Sequence, residues 1–176
     1  MDYEYFMKKA LALAAQALTA GEFPVGCVIT CGNEIVATGA RHHTRGDSKN
    51  EIDHAEMVAL RRLSELPEEI KSGQLVIFCT MEPCLMCLGA IILSGIRKIV
   101  YAYEDVMGGG TDCDLTTLQP LYSDNHTAII ANILRNESVS LFKSYFADPG
   151  NEYWKGSLLA QYTLSQQGTG KRNSKS

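Results

Sequence analysis

The order of apolar patterns along the 176-residue chain narrows its fold before any single residue does. From Asp2 to Ala20, Tyr3, Phe6, Met7, Ala10, Leu11, Ala14 and Leu18 recur at three- and four-residue spacing, the mark of an amphipathic helix that Gly21 can stop. The pattern then changes. Val25 to Cys31 and Glu34 to Gly39 read as strands joined by Gly32-Asn33, a hairpin signal. Arg41 to Glu51, with Gly46, Asp47, Ser48 and Asn50, reads as loop. A helix over Asp53 to Leu66 follows, with Asp53 or Asn50 as its expected N-cap. Gln74 to Thr80 is a continuous apolar run, as in a buried strand; Cys84 to Leu93 is helical, with Pro83 near its first turn; Lys98 to Tyr103 is the next strand. The resulting order, β-β-α-β-α-β after a first helix, favours an α/β fold in which a mixed sheet carries helices on its faces.

Beyond Tyr103 the signal weakens. Asp105 to Asn125 is loop-rich around Gly108-Gly109-Gly110; Ala128 to Ile133 reads as a further strand, and Glu137 to Phe146 and Asn151 to Gln166 as helices. The expected organisation is a single domain over residues 1–166, with a variant helical extension from about 148, and a disordered tail over 167–176. The longest apolar runs, such as Leu88 to Leu93, are too short to span a bilayer, and Met1 is followed by Asp2 and Glu4 rather than by a secretory pattern. These features predict a cytoplasmic protein with no membrane partner. The net charge is −4, and Lys171, Arg172 and Lys175 of the tail hide a more acidic body, which is not the usual footprint of a nucleic-acid binder.

Six cysteines without an export signal fit free thiols and a metal site better than a disulfide framework. Cys27, Cys31 and Cys79 read as small buried apolar residues on strands. Cys84 and Cys87 differ: three residues apart at a helix start, they put both sulfurs on one face, where the helix N-terminus favours thiolate. With His54 they make a three-ligand set for Zn2+ that leaves a fourth position for water, the arrangement of catalytic rather than structural zinc. Glu56, two residues beyond His54, is placed to take a proton from that water and hand it to a leaving amine. A lone Cys-x-x-Cys also fits a redox pair or half of a zinc ribbon, but a ribbon needs a second Cys-x-x-Cys, which is absent, and a redox pair needs neither His54 nor Glu56.

His54-Ala55-Glu56 followed by Pro83-Cys84-Leu85-Met86-Cys87 resembles the cytidine and nucleobase deaminase superfamily. Glu22-Phe23-Pro24-Val25-Gly26, His54 to Leu60, Met81 to Cys87, Gly89-Ala90-Ile91-Ile92 and the helix Glu137 to Phe146 are similar to bacterial tRNA adenosine deaminases in particular. The resemblance implies a three-layer α/β/α sandwich around a five-stranded mixed sheet and a homodimer with active sites near its interface; the candidate substrate contacts are Val25, Arg41, Asp53, Met81 and Asp105. The implied reaction is hydrolytic release of ammonia from a nucleobase-like heterocycle, in a tRNA anticodon loop or as a small free base, nucleoside or nucleotide.

The sequence departs from the group where an Asn usually follows the second strand: Arg41 stands there, with His42 and His43 next. Arg41 fits either a phosphate- or carboxylate-binding residue or a solvated loop arginine. His42 and His43 fit extra metal ligands or polar loop residues. Asp53 fits a helix cap, a partner for Arg41 or a contact to a substrate amine. Tyr145, Phe146, Tyr153 and Trp154 fit a stacking cluster over the pocket mouth or ordinary packing. A zinc-stabilised binding module without catalysis is the alternative from another class; Glu56 argues against it.

Overall fold

The computed structural model describes residues 1–46 and 49–166; Asp47, Ser48 and the tail from 167, with Lys171, Arg172 and Lys175, lie outside the described residues. Strand β1 (Gly26–Cys31) turns back through Gly32-Asn33 into β2 (Glu34–Ala40), and the backbone at Gly32 takes φ 58°. β1 also pairs antiparallel with β3 (Leu75–Met81), while β4 (Lys98–Tyr103) and β5 (Ala128–Ile130) continue in parallel, giving the order β2-β1-β3-β4-β5. This is the expected five-stranded mixed sheet.

Both faces of the sheet are covered. Phe6, Met7, Ala10 and Leu11 of helix α1 (Tyr3–Thr19) pack on Val28, Val76, Phe78 and Val100. On the other face, α2 (Ala55–Ser64) and α4 (Leu85–Leu93) bury Ala59, Leu60, Leu88 and Ile91 against Cys27, Ile29, Ile77 and Cys79. The alternation of Val76 and Phe78 with Ile77 and Cys79 is the two-residue period of a strand buried on both sides. Cys27, Cys31 and Cys79 are strand residues with free thiols, Cys27 and Cys79 fully buried. Asp2 caps α1 by accepting the Tyr5 N–H at 3.0 Å. Between α2 and β3 lies a four-residue helix α3 (Glu68–Lys71) that the sequence pattern did not indicate.

Three boundaries differ from expectation. Helix α2 begins at Ala55, and its N-cap is His54; Asp53 is instead bonded to Arg61 and Asn50, while Asn50 Oδ1 turns back to accept the N–H groups of Ile52 and Asp53. β5 stops at Ile130, because Asn132 and Leu134 take left-handed backbone (φ 68° and 56°) before α6 (Arg135–Ala147). The last helix, α7, spans only Leu158–Ser165: left-handed backbone at Trp154 and Gly156 breaks the expected longer helix, and Ser157 caps the shorter one through the Ala160 N–H. The loop after β4 holds a 3-10 turn at Leu115–Thr117 and a short α5 (Pro120–Ser123).

One glycine sets the placement of the candidate site. A Cβ at Gly39 would meet the Ala55 carbonyl oxygen at 2.0 Å and the Ala59 nitrogen at 2.8 Å. Helix α2 therefore lies directly on β2, which fixes His54 and Glu56 against the sheet.

Candidate active site

β3 and β4 end side by side, and the segments that follow them meet the start of α2 at the same edge, where ligands of parallel sheets gather. His54 is the N-cap of α2 and Cys84 the N-cap of α4, with Cys87 in the first turn. Their donor atoms lie within 4.8 Å of one another. His54 Nδ1 is 3.6 Å from the Cys84 sulfur and 3.5 Å from the Cys87 sulfur. Zinc bonds of about 2.0 Å to nitrogen and about 2.3 Å to sulfur place tetrahedral N and S ligands roughly 3.6 Å apart. The three side chains thus fit Zn2+ as they stand.

The electrostatics agree with that use. The Cys84 thiol is lowered to about 4, by its hydrogen bond with Cys87 first and by His54 besides, against the opposing effect of burial. Cys87 is pushed up by the same bond to Cys84 and by burial. The hydrogen bond to Cys84 raises His54. Glu56 is 3% exposed, and burial raises its carboxyl above the ordinary range.

A cavity of about 260 Å3 opens over this centre, lined among others by His54, Glu56, Cys84, Arg41, Tyr153 and Trp154. Of the expected substrate contacts, Val25, Arg41, Met81 and Asp105 line it. Asp53 stands outside it, its carboxylate committed to Arg61 and Asn50. Asp105 lines the cavity while its Oδ1 accepts the Met107 and Gly108 N–H groups, which turns the glycine-rich loop.

Arg41 is neither solvated nor free for an anion. It is 3% exposed; Nη1 donates to the Asn50 carbonyl at 2.7 Å, and Nη2 donates to Glu51 Oε2 and to the Tyr153 hydroxyl, each at 3.2 Å. The Tyr153 hydroxyl donates in turn to Glu51 Oε2 at 2.7 Å. His42, His43 and Asp53 bring donor atoms within 4.8 Å of one another, a second cluster apart from the residues that line the cavity. Tyr145 and Phe146 are packing residues, with rings 5.3 and 6.0 Å from Phe23.

Sequence reasoning missed Glu51, Glu82 and Phe23, which also line the cavity. Glu82 carried a usable signal, a carboxylate between a buried strand and Pro83. Its Oε2 accepts the Asp105 N–H at 3.1 Å and its Oε1 the Thr111 N–H at 3.2 Å, so it holds the loop after β4 against the metal-ligand helix. Glu51 had no signal, because its partners are ten and 102 residues away in the chain.

Residues 1–103 match the family model described as the cytidine and deoxycytidylate deaminase zinc-binding region. The chain belongs to this family. It is a zinc-dependent hydrolytic deaminase with a nucleobase-like substrate, and His54, Cys84 and Cys87 are positioned to bind the metal. It is 30% identical over 166 residues to a tRNA-specific adenosine deaminase of Streptococcus pyogenes, with 94% of each chain covered. A solved tRNA:A34 deaminase, described in work on A-to-I editing at the wobble position, superposes with TM-score 0.61 at 25% identity, covering 74% of this chain and 99% of that one. The guanine deaminase of Nitrosomonas europaea shares the fold, with TM-score 0.66 at 20% identity over 82% of this chain and 85% of its own.

Proposed function

We propose that the protein converts adenosine to inosine in a tRNA anticodon loop, with water replacing the exocyclic amine and ammonia leaving. The observation that carries the reaction is Glu56, a buried carboxyl raised by burial, in one cavity with the three metal donors. His54, Cys84 and Cys87 would hold Zn2+, which would supply the activation of a water at neutral pH. Glu56 takes the proton of the attacking water and delivers it to the amine nitrogen, and burial, which raises its carboxyl, favours accepting that proton. Val25 and Met81 line the cavity with apolar surface, suited to the faces of a heterocycle. The tRNA substrate is supported by the similarity over 94% of the chain to a tRNA-specific enzyme.

A second reading, a small free heterocycle, is favoured by one observation: Arg41 is neutralised by Glu51 and capped by Tyr153, so the C-terminal segment leans over the cavity. In either reading the protein acts in the cytoplasm as a homodimer, supported by the exposed Leu85 and Leu93 on α4. Among the described residues no helix is long and apolar enough to cross a membrane.

The test is ammonia release from free bases, nucleosides and nucleotides beside inosine formation in an anticodon stem-loop, with Glu56→Ala as the blank. Inosine in the stem-loop alone is the expected result. Turnover of one small heterocycle and none of the stem-loop establishes the second reading, and no turnover above the blank overturns both.

A further inference from the structure

Among the aromatic residues near the C-terminus, Trp154 is set apart. Tyr145 is fully buried, and Phe146 and Tyr153 pack their rings on Phe23. Trp154 lines the metal-centre cavity yet remains 44% exposed, and the described aromatic contact of its ring is with Tyr153, at 5.6 Å. Its backbone is left-handed, φ 56°, a conformation that costs a bulky residue but not glycine. Strain of this kind persists where the surroundings impose it, and it clusters at ligand sites.

The surroundings that impose it are on the preceding residue. The Tyr153 hydroxyl is held by Arg41 and Glu51, its ring lies 5.3 Å from Phe23, and the Arg41 guanidinium sits 5.7 Å from the ring centre. A residue anchored this firmly dictates where its neighbour emerges. The cavity, about 260 Å3, falls below the roughly 300–1,000 Å3 of drug-sized sites and suits a single heterocycle. Phe23 and Tyr153 also line it, but their rings pack on each other at 5.3 Å, whereas the exposed indole on its wall offers a flat π surface to such a ring.

We propose that Trp154 is the stacking platform for the substrate's heterocycle, and that Tyr153, latched to Arg41 and Glu51, is the residue that positions it. The proposal rests on the reading of the cavity as the seat of a heterocyclic amine. It accounts for an indole kept exposed and in a strained backbone where a merely structural residue would be buried or replaced by glycine.

Trp154 is the chain's one tryptophan, so intrinsic fluorescence of the zinc-loaded protein reads it directly. The probes are purine and pyrimidin-2-one, which lack the amine and cannot be deaminated, with binding measured independently by equilibrium dialysis. The expected result is saturable quenching that tracks dialysis for at least one probe. Trp154→Phe retains binding within a few-fold, and Trp154→Gly weakens it roughly ten- to hundredfold, the scale of one base–aromatic stack. Trp154→Gly also melts no lower than the parent, because glycine relieves the backbone. Tyr153→Phe raises KM more than it lowers kcat. Binding without any change in emission, no binding of either probe, or a Trp154→Gly protein that melts lower but binds as before each overturns the proposal. Quenching without ammonia release from any substrate leaves the stacking role standing and sinks the deaminase reading; ammonia release without quenching does the reverse.

Discussion

At the scale of residues, catalysis and metal holding separate cleanly, although Glu56 and Cys87 share the same crowded interior. Glu56→Gln keeps size and burial but removes the proton carrier, so kcat is expected to fall about 10²- to 10⁴-fold with zinc content unchanged by metal analysis. Cys87→Ala removes one of three donors, so zinc is expected to be lost from the purified protein and melting temperature to drop with it. Unchanged kcat in Glu56→Gln would place the proton carrier on another residue of the cavity. The motif residues were readable because their relation is local: Cys84 and Cys87 share one helical turn, and His54 and Glu56 stand at one helix start. Arg41 was readable only as an ambiguity, because its partners Asn50, Glu51 and Tyr153 meet it through tertiary contacts rather than spacing.

At the scale of elements, the site depends on how α2 and α7 are held. A Cβ at Gly39 would collide with the backbone of α2, so Gly39→Ala should cost about 1–3 kcal/mol by overpacking. Because the displaced helix carries His54 and Glu56, kcat should fall as well, which a chemical-melt and rate comparison checks together. The other anchor is Glu104, at the end of β4. It accepts two hydrogen bonds from Arg135 at 2.6 and 2.7 Å and one from Tyr162 of α7 at 2.6 Å. Burial alone would raise the Glu104 carboxyl, but these bonds outweigh it and hold the group below the ordinary carboxylate range. Its stabilisation is therefore present above the unfolded value of about 4.3 and is lost as pH falls through the lower folded value. Glu104→Gln, which leaves Arg135 without its charge partner, should cost about 3 kcal/mol at neutral pH and flatten the acid limb of the stability curve. The strong elements were legible in sequence: α1 and β4 follow uninterrupted periodicity. The start of α2 was misplaced because Asp53 looks like a cap but is captured by Arg61, eight residues on. The four-residue α3 and α5 carry no periodicity to read, and the break before α7 lies in the backbone of Trp154, which composition does not reveal.

At the scale of the whole molecule, the open question is electrostatic: how an acidic protein meets a polyanion. Glu51, Glu82 and Asp105 line the cavity, and Arg41 there is paired internally, so the anticodon backbone must be met outside it. The exposed cations on the two segments bordering the cavity are Arg45 and Lys49 in the loop before α2 and Lys155 beside Trp154, the last in an exposed pair with Glu152 at 2.7 Å that a phosphate can replace. Phosphate contacts release condensed counterions, so log kcat/KM should fall with log salt by about 0.7 to 0.9 per contact. A stem-loop substrate held by these residues is therefore expected to show a slope of roughly −2 to −3. Replacing both Lys49 and Lys155 by Glu should make it shallower by about 2 and raise KM for the stem-loop. Turnover of a free nucleoside, which offers no phosphate, should be indifferent to salt and to both substitutions, so it serves as the internal control for folding and zinc loading. A flat profile on the stem-loop, with the nucleoside turned over as readily, would remove the anticodon from the reaction and leave the small heterocycle as the substrate of this cavity.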